Sequence, residues 1–180
     1  RPKILHASNY EDAMEMYRTF SDHVLGMILD VRFRKDGVEY PRAGFQLAEE
    51  ILKSNPDCPL LFQSSEEVNR QRANQMGAAF INKNSPTLLA DLRDFMRNYL
   101  GFGDFVFMNP EGYEEARASD LRELRHALKT ISDECLYYHA EKNDFSTWLM
   151  ARTEFDLAHA LRPQKVEDFD SVDDLREYLV

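Results

Sequence analysis

The sequence predicts an α/β protein whose residues 1–102 form a doubly wound parallel sheet, followed in residues 103–180 by a β-hairpin and helices. Three observations predict it. Short apolar runs at residues 3–7, 24–29, 59–62 and 78–81 alternate with segments of helical character, the pattern of successive βα units. Three of those runs lead into a polar side chain at their carboxyl end, Asp30, Ser64 and Lys83, where open α/β sheets place ligands. The charge then changes abruptly near Gly101-Phe102-Gly103-Asp104: residues 1–103 carry 13 basic and 14 acidic side chains, residues 104–180 carry 9 and 18.

Each element has a local reason. Residues 3–7 read as a strand, and Asn9 is placed to cap the next helix, with Asp12 three residues on. Ala13, Met14, Met16, Tyr17 and Phe20 supply its apolar positions. The unbroken apolar stretch 24–29 suits a strand buried on both faces. Asp36-Gly37 and Pro41 mark a turn, and a helix over 43–53 stops before Pro56. The strand at 59–62 leads into Gln63-Ser64-Ser65, then a polar helix over 66–75 closed by Gly77. After the strand at 78–81, Ser85 as cap and Pro86 as first helical residue open a helix lined by Leu88, Leu92, Phe95, Met96 and Tyr99.

In the second module, residues 105–108 and 113–118 flank Asn109-Pro110-Glu111-Gly112, a hairpin signature. Helices follow at 119–130, 132–141, 144–161 and 172–180, with Ser119, Ser132, Asp144 and Ser171 as caps. Trp148, Ala151, Phe155, Ala158 and Leu161 recur at helical spacing, a packing stripe.

Composition narrows the function classes. The 180 residues are 43% hydrophobic and 30% charged, with a net charge of −10. That balance opposes a nucleic-acid partner, which needs clustered Lys and Arg. No apolar run reaches the ~18–20 residues a membrane span requires, and no signal peptide opens the sequence, so the expectation is a cytoplasmic protein without a membrane partner. Cys58 and Cys135 stand far apart and read as thiols. His126, His139 and His159 lack metal-ligand spacing, and phosphate loops, nucleophile elbows and zinc motifs are missing.

Taken with Asp30, Ser64 and Lys83, residues 1–102 resemble the receiver domains of two-component response regulators. The stretch Ala7-Ser8-Asn9-Tyr10-Glu11-Asp12-Ala13 resembles the family's second strand entering its second helix. Met27-Ile28-Leu29-Asp30 resembles the phosphoacceptor strand, and Ala43-Gly44-Phe45-Gln46-Leu47 the start of the third helix. Residues 59–65 and 77–83 resemble the fourth and fifth strands. The resemblance implies a receiver-like, flavodoxin-like fold in which Asp30 accepts a phosphoryl group from a phosphodonor or sensor kinase. It further implies that Ser64 hydrogen-bonds a phosphoryl oxygen, Lys83 neutralises its charge, and Phe80 is the aromatic that switches rotamer. A homodimer face is implied on the helix over 85–100.

Two departures stand out. The family's first strand and helix have no counterpart, so the implied Mg²⁺ site retains Asp30 alone and needs acidic residues upstream. Gly44 also lies fourteen residues after Asp30, a longer loop than usual, and Asn84-Ser85 replaces the proline that follows the family's lysine. A fragment of a longer polypeptide is the expectation.

The phrases Gly101-Phe102-Gly103-Asp104-Phe105-Val106-Phe107 and Phe145-Ser146-Thr147-Trp148-Leu149-Met150-Ala151-Arg152-Thr153-Glu154-Phe155 resemble the amino-terminal region of bacterial proteins related to phosphoenolpyruvate synthase and pyruvate, phosphate dikinase. This resemblance implies a regulatory module, not itself an enzyme, coupled to downstream enzyme domains. The alternative is a pseudo-receiver that serves as an interaction or dimerisation scaffold. A third reading, a small phosphatase, needs a second carboxylate near Asp30, and Asp36 is the candidate.

Overall fold

A computed structural model of the chain describes residues 3–180, which divide into two compact units between Leu100 and Gly101. In the first unit, α1 (Tyr10–Phe20) is followed by β1 (Met27–Asp30) and a hairpin of β2 (Phe33–Lys35) and β3 (Val38–Tyr40). Then come α2 (Ala43–Ser54), β4 (Leu60–Ser64), α3 (Asn69–Gln75), β5 (Ala79–Asn82) and α4 (Leu88–Asn98). The result is a mixed α/β fold around a three-stranded sheet in the order β1-β4-β5.

Both pairings in that sheet are parallel, with Leu29 opposite Phe62 and Phe62 opposite Phe80. Parallel neighbours need crossover helices, and α2 and α3 supply them. Leu60, Leu61 and Phe62 are all buried, which explains why the central strand is apolar without alternation. One hydrophobic cluster joins Leu29, Phe62 and Phe80 to Met14 and Tyr17 of α1 and to Phe45, Ala48 and Ile51 of α2. The Phe45 and Phe62 rings lie 4.6 Å apart in a tilted pair. Burial of each such ring is worth ~1.5–3 kcal/mol.

Several expectations are corrected. Residues 3–7 form no strand; Ile4 and Leu5 are exposed. A strand exists only with a ladder partner, and the one bridge near this segment joins Asn9 to Arg34 of β2. The long loop after Asp30 is instead the β2–β3 hairpin, turning at Asp36 (φ 51°) and Gly37 (φ 77°). The polar helix begins at Asn69 rather than at residue 66. Ser85 does not cap α4: its Oγ accepts the Thr87 N–H at 3.2 Å in a turn that precedes the helix.

The second unit pairs β6 (Phe105–Met108) with β7 (Glu114–Ala118) in an antiparallel hairpin. Five helices follow: α5 (Leu121–Leu128), α6 (Asp133–Glu141), α7 (Asp144–Ala151), α8 (Phe155–Leu161) and α9 (Val172–Leu179). Ser132 and Ser171 cap α6 and α9 through their side chains, as their positions predict. Asp120, not Ser119, caps α5; the Ser119 hydroxyl and N–H instead bond the Glu123 carboxylate at 2.7 and 2.9 Å. The expected single helix over 144–161 is broken between Arg152 and Glu154, where Thr153 adopts φ 64°. Asn143 rather than Asp144 precedes α7. The buried core gathers Phe105, Phe107, Leu128, Leu136, Phe145 and Trp148, with the Phe105 and Phe145 rings stacked at 5.1 Å. No helix among the described residues is long and apolar enough to cross a membrane.

Candidate functional site

The carboxyl edge of the three-stranded sheet collects the residues singled out from the sequence. Asp30 ends β1 and Ser64 ends β4, while Lys83 directly follows β5. The Lys83 N–H donates to the Ser64 carbonyl at 2.9 Å, extending the β4–β5 ladder one step. From there the Lys83 ammonium spans the width of β4 and forms an ion pair with Asp30 Oδ2. The other carboxylate oxygen, Oδ1, accepts a long 3.4 Å hydrogen bond from the Arg32 N–H. Asp30 and Lys83 are both part-exposed, 38% each, so the pair faces water at the sheet edge and contributes little to stability.

Helix α2 is seated against the same strand end. The Gly44 N–H donates to the Val31 carbonyl at 3.1 Å, and a β-carbon at Gly44 would lie 2.2 Å from the Asp30 carbonyl oxygen. Gly44 therefore sets how closely the start of α2 can approach the Asp30 backbone.

Ser64 is buried, 7% exposed, and its hydroxyl oxygen accepts from the Glu66 N–H at 3.1 Å and the Asn69 side-chain amide at 3.0 Å. Its oxygen is thus anchored to the loop between β4 and α3. The structure brings Asp30 and Lys83 into contact and places Ser64 on the intervening strand. Phe80 is buried in the main cluster, 8% exposed, with the Arg70 guanidinium 4.7 Å from its ring centroid.

Two residues unremarked in the sequence complete the edge. Arg32 Nη2 and Glu66 Oε1 form a 3.0 Å ion pair joining the loop after β1 to the loop after β4. The available signal was symmetry of offset: each stands two residues beyond a polar strand end, Asp30 or Ser64, on neighbouring parallel strands. Asp36 lies in the hairpin turn, where its N–H donates to Glu11 at 3.0 Å, and this interaction holds the Glu11 carboxyl below the usual carboxylate range. The groove of ~560 Å³ between α1 and that turn, lined by Tyr10, Glu11, Met14 and Lys35, includes none of the three strand-end residues.

A divalent cation has poor support from these residues. Among the described residues no group of three His, Cys, Asp or Glu side chains could hold a metal. Asp30 alone, with one oxygen on Lys83, does not offer the near-octahedral oxygen set that Mg²⁺ favours.

In the second unit the two quoted phrases interlock. The Trp148 indole N–H donates to the Gly103 carbonyl at 3.1 Å. Arg152 lies 3.2 Å over the Trp148 ring and donates to the carbonyls of Gly101, Gly103 and Trp148. Burial lowers the Arg152 guanidinium from its usual range. Cys58 and Cys135 are both buried and neither is in a disulfide, and burial pushes the Cys135 thiol up to about 11. His139 is likewise buried and hydrogen-bonded through both ring nitrogens.

Residues 104–180 match a family of unknown function, DUF5752. None of the curated proteins and none of the solved structures matches the chain.

Proposed function

We propose that residues 1–102 are a receiver-type regulatory module in which Asp30 accepts a phosphoryl group. The observation that carries this is the Asp30–Lys83 ion pair at the carboxyl edge of the parallel sheet. A carboxylate is a competent nucleophile toward an activated phosphoryl donor. One Asp30 oxygen attacks phosphorus, the bond from phosphorus to the donor's leaving oxygen breaks, and the leaving group departs with that electron pair. With acetyl phosphate the products are an aspartyl phosphate and acetate. Lys83 stabilises the charge on the transferred oxygens. A phosphoryl group adds about −1.5 to −2 of charge, enough to rearrange the loops after β1 and β4. The interlocked second unit then acts as the connector to a downstream phosphotransfer enzyme.

A second reading, the scaffold, has its own support: the two carboxylates of the edge, Asp30 and Glu66, are already paired with Lys83 and Arg32. One experiment separates them. The chain and its Asp30→Ala variant are incubated with acetyl phosphate in magnesium-containing buffer, and intact mass is measured. An added phosphoryl mass on the wild type alone supports the acceptor; no addition to either leaves the scaffold as the function.

A further inference from the structure

We infer that Arg32 is the anion-gripping residue of this site, held in reserve by Glu66 until a phosphoryl group arrives; this rests on Asp30 being the acceptor.

The charge count at the sheet edge motivates it. In the resting state Asp30 and Lys83 neutralise one another. Once Asp30 is phosphorylated its own charge is lost and a phosphoryl group of about −2 takes its place. Lys83 can offset only half of that. The cation nearest along the chain is Arg32, whose backbone N–H already reaches Asp30 Oδ1. Lys35 is engaged elsewhere, on Gln46 at 2.7 Å and over the Tyr10 ring at 4.4 Å, and Arg70 is taken by Glu67 and the Phe80 ring.

The present partner of Arg32 can be exchanged at low cost. Its ion pair with Glu66 is single-armed at 3.0 Å, and the two side chains are 51% and 55% exposed. Pairs of that kind are weak. A phosphoryl dianion offers a guanidinium two parallel charge-assisted bonds, a stronger and geometrically matched partner. Transfer of Arg32 from Glu66 to the phosphoryl group frees Glu66. The Ser64 oxygen accepts from the Glu66 N–H and the Asn69 side-chain amide, neither of which the exchange disturbs.

The test is the yield and lifetime of acyl phosphate by intact mass with acetyl phosphate as donor. The samples are wild type, Arg32→Ala, Arg32→Lys, Glu66→Gln and the Arg32→Ala/Glu66→Gln double variant, each checked for folding by thermal melting. Arg32→Ala is expected to lower the yield about tenfold, with Arg32→Lys between it and wild type. Glu66→Gln is expected to raise the yield about two- to fivefold, a gain that disappears when Arg32 is also removed. Wild-type yield in Arg32→Ala, or a Glu66→Gln gain that persists without Arg32, overturns the inference while leaving Asp30 as acceptor. Absence of label on the wild type overturns the acceptor reading and this inference with it.

Discussion

Gly44 approaches the Asp30 backbone so closely that a β-carbon would stand 2.2 Å from the Asp30 carbonyl oxygen and 3.1 Å from the Val31 Cα. Neither contact is with a flexible side chain, so the strand end or the helix must move. Gly44→Ala is expected to destabilise the protein by about 1–3 kcal/mol, measured by chemical denaturation. Gly37 is the contrast: nothing lies within 4 Å of its β-position, but φ is 77°, so Gly37→Ala costs about 1–2 kcal/mol through backbone strain alone. The two differ in the site: Gly44→Ala also shifts the Asp30 and Val31 amide resonances, whereas Gly37→Ala leaves them in place. A Gly44→Ala variant as stable as wild type would show that α2 is not seated on the strand.

Arg152 combines a cation–π contact with three carbonyl partners, a set that suits a planar, multi-donor guanidinium and not an ammonium. Arg152→Lys should therefore behave almost as badly as Arg152→Ala, with a loss of about 2 kcal/mol or more in each. Trp148→Phe removes the indole donor to Gly103 and part of the stacking surface. In a double-mutant cycle the two changes should couple by at least about 0.5 kcal/mol. Additive losses would mean that the two side chains grip the Gly101–Gly103 backbone independently.

The sequence made the central sheet legible because β4 is apolar and buried along residues 60–62 and because each strand leads into a residue of different chemistry. The burial of β1 on both faces that its apolar run suggests is not met, since Ile28 stands 48% exposed and only Leu29 is buried. The sequence misled where tertiary partners decide. Residues 3–7 are apolar enough for a strand but lack a ladder. The hairpin after Asp30 was signalled by Asp36-Gly37, the pair that a two-residue turn with positive φ at both positions demands; the flanking strands are three residues each, Phe33–Lys35 and Val38–Tyr40, too short for periodicity to show. In the second unit, Trp148 to Leu161 keeps helical spacing straight through a break at Thr153, since periodicity does not register one residue of positive φ. At the site, Asp30, Ser64 and Lys83 were readable by type and position. What each one touches was not: the Ser64 hydroxyl faces its own loop, and the Arg32–Glu66 pair joins two loops that no local pattern connects.

Cys135 is fully buried beneath Ser132 and near Glu115, and burial, aided by the Glu115 charge, raises its thiol from 9.0 to about 11. The neutral form is favoured in the fold. Stability from this group is thus complete below pH 9 and declines as pH rises through the interval to about 11, because the unfolded thiol ionises first. The native protein at pH 8 should leave Cys135 unmodified by a thiol reagent over hours, and denaturant should expose it at once. Prompt native modification would show that α6 opens readily.

His139 has both ring nitrogens spoken for. The Met108 N–H donates to Nε2 at 2.9 Å, and Nδ1 lies 2.8 Å from Asp144 Oδ2. An acceptor at Nε2 and a donor at Nδ1 together fit one form only, the neutral ring protonated on Nδ1. The ring packs among Phe105, Phe107 and Phe145 and is buried, while the Asp144 carboxylate remains part-exposed. Met108 also sits at the register shift of the β6–β7 ladder, where its N–H has this imidazole instead of a strand neighbour. His139→Ala strands a buried amide and opens a void, and is expected to cost about 2–4 kcal/mol. Asp144→Asn keeps an acceptor for Nδ1–H and should cost less than about 1 kcal/mol. Nitrogen-15 spectra of the ring should show the Nδ1-protonated form at neutral pH, with slow exchange of the Met108 amide. A ring protonated on Nε2 would remove the Met108 bond, and with it the reason that α6 holds the hairpin at its bulge.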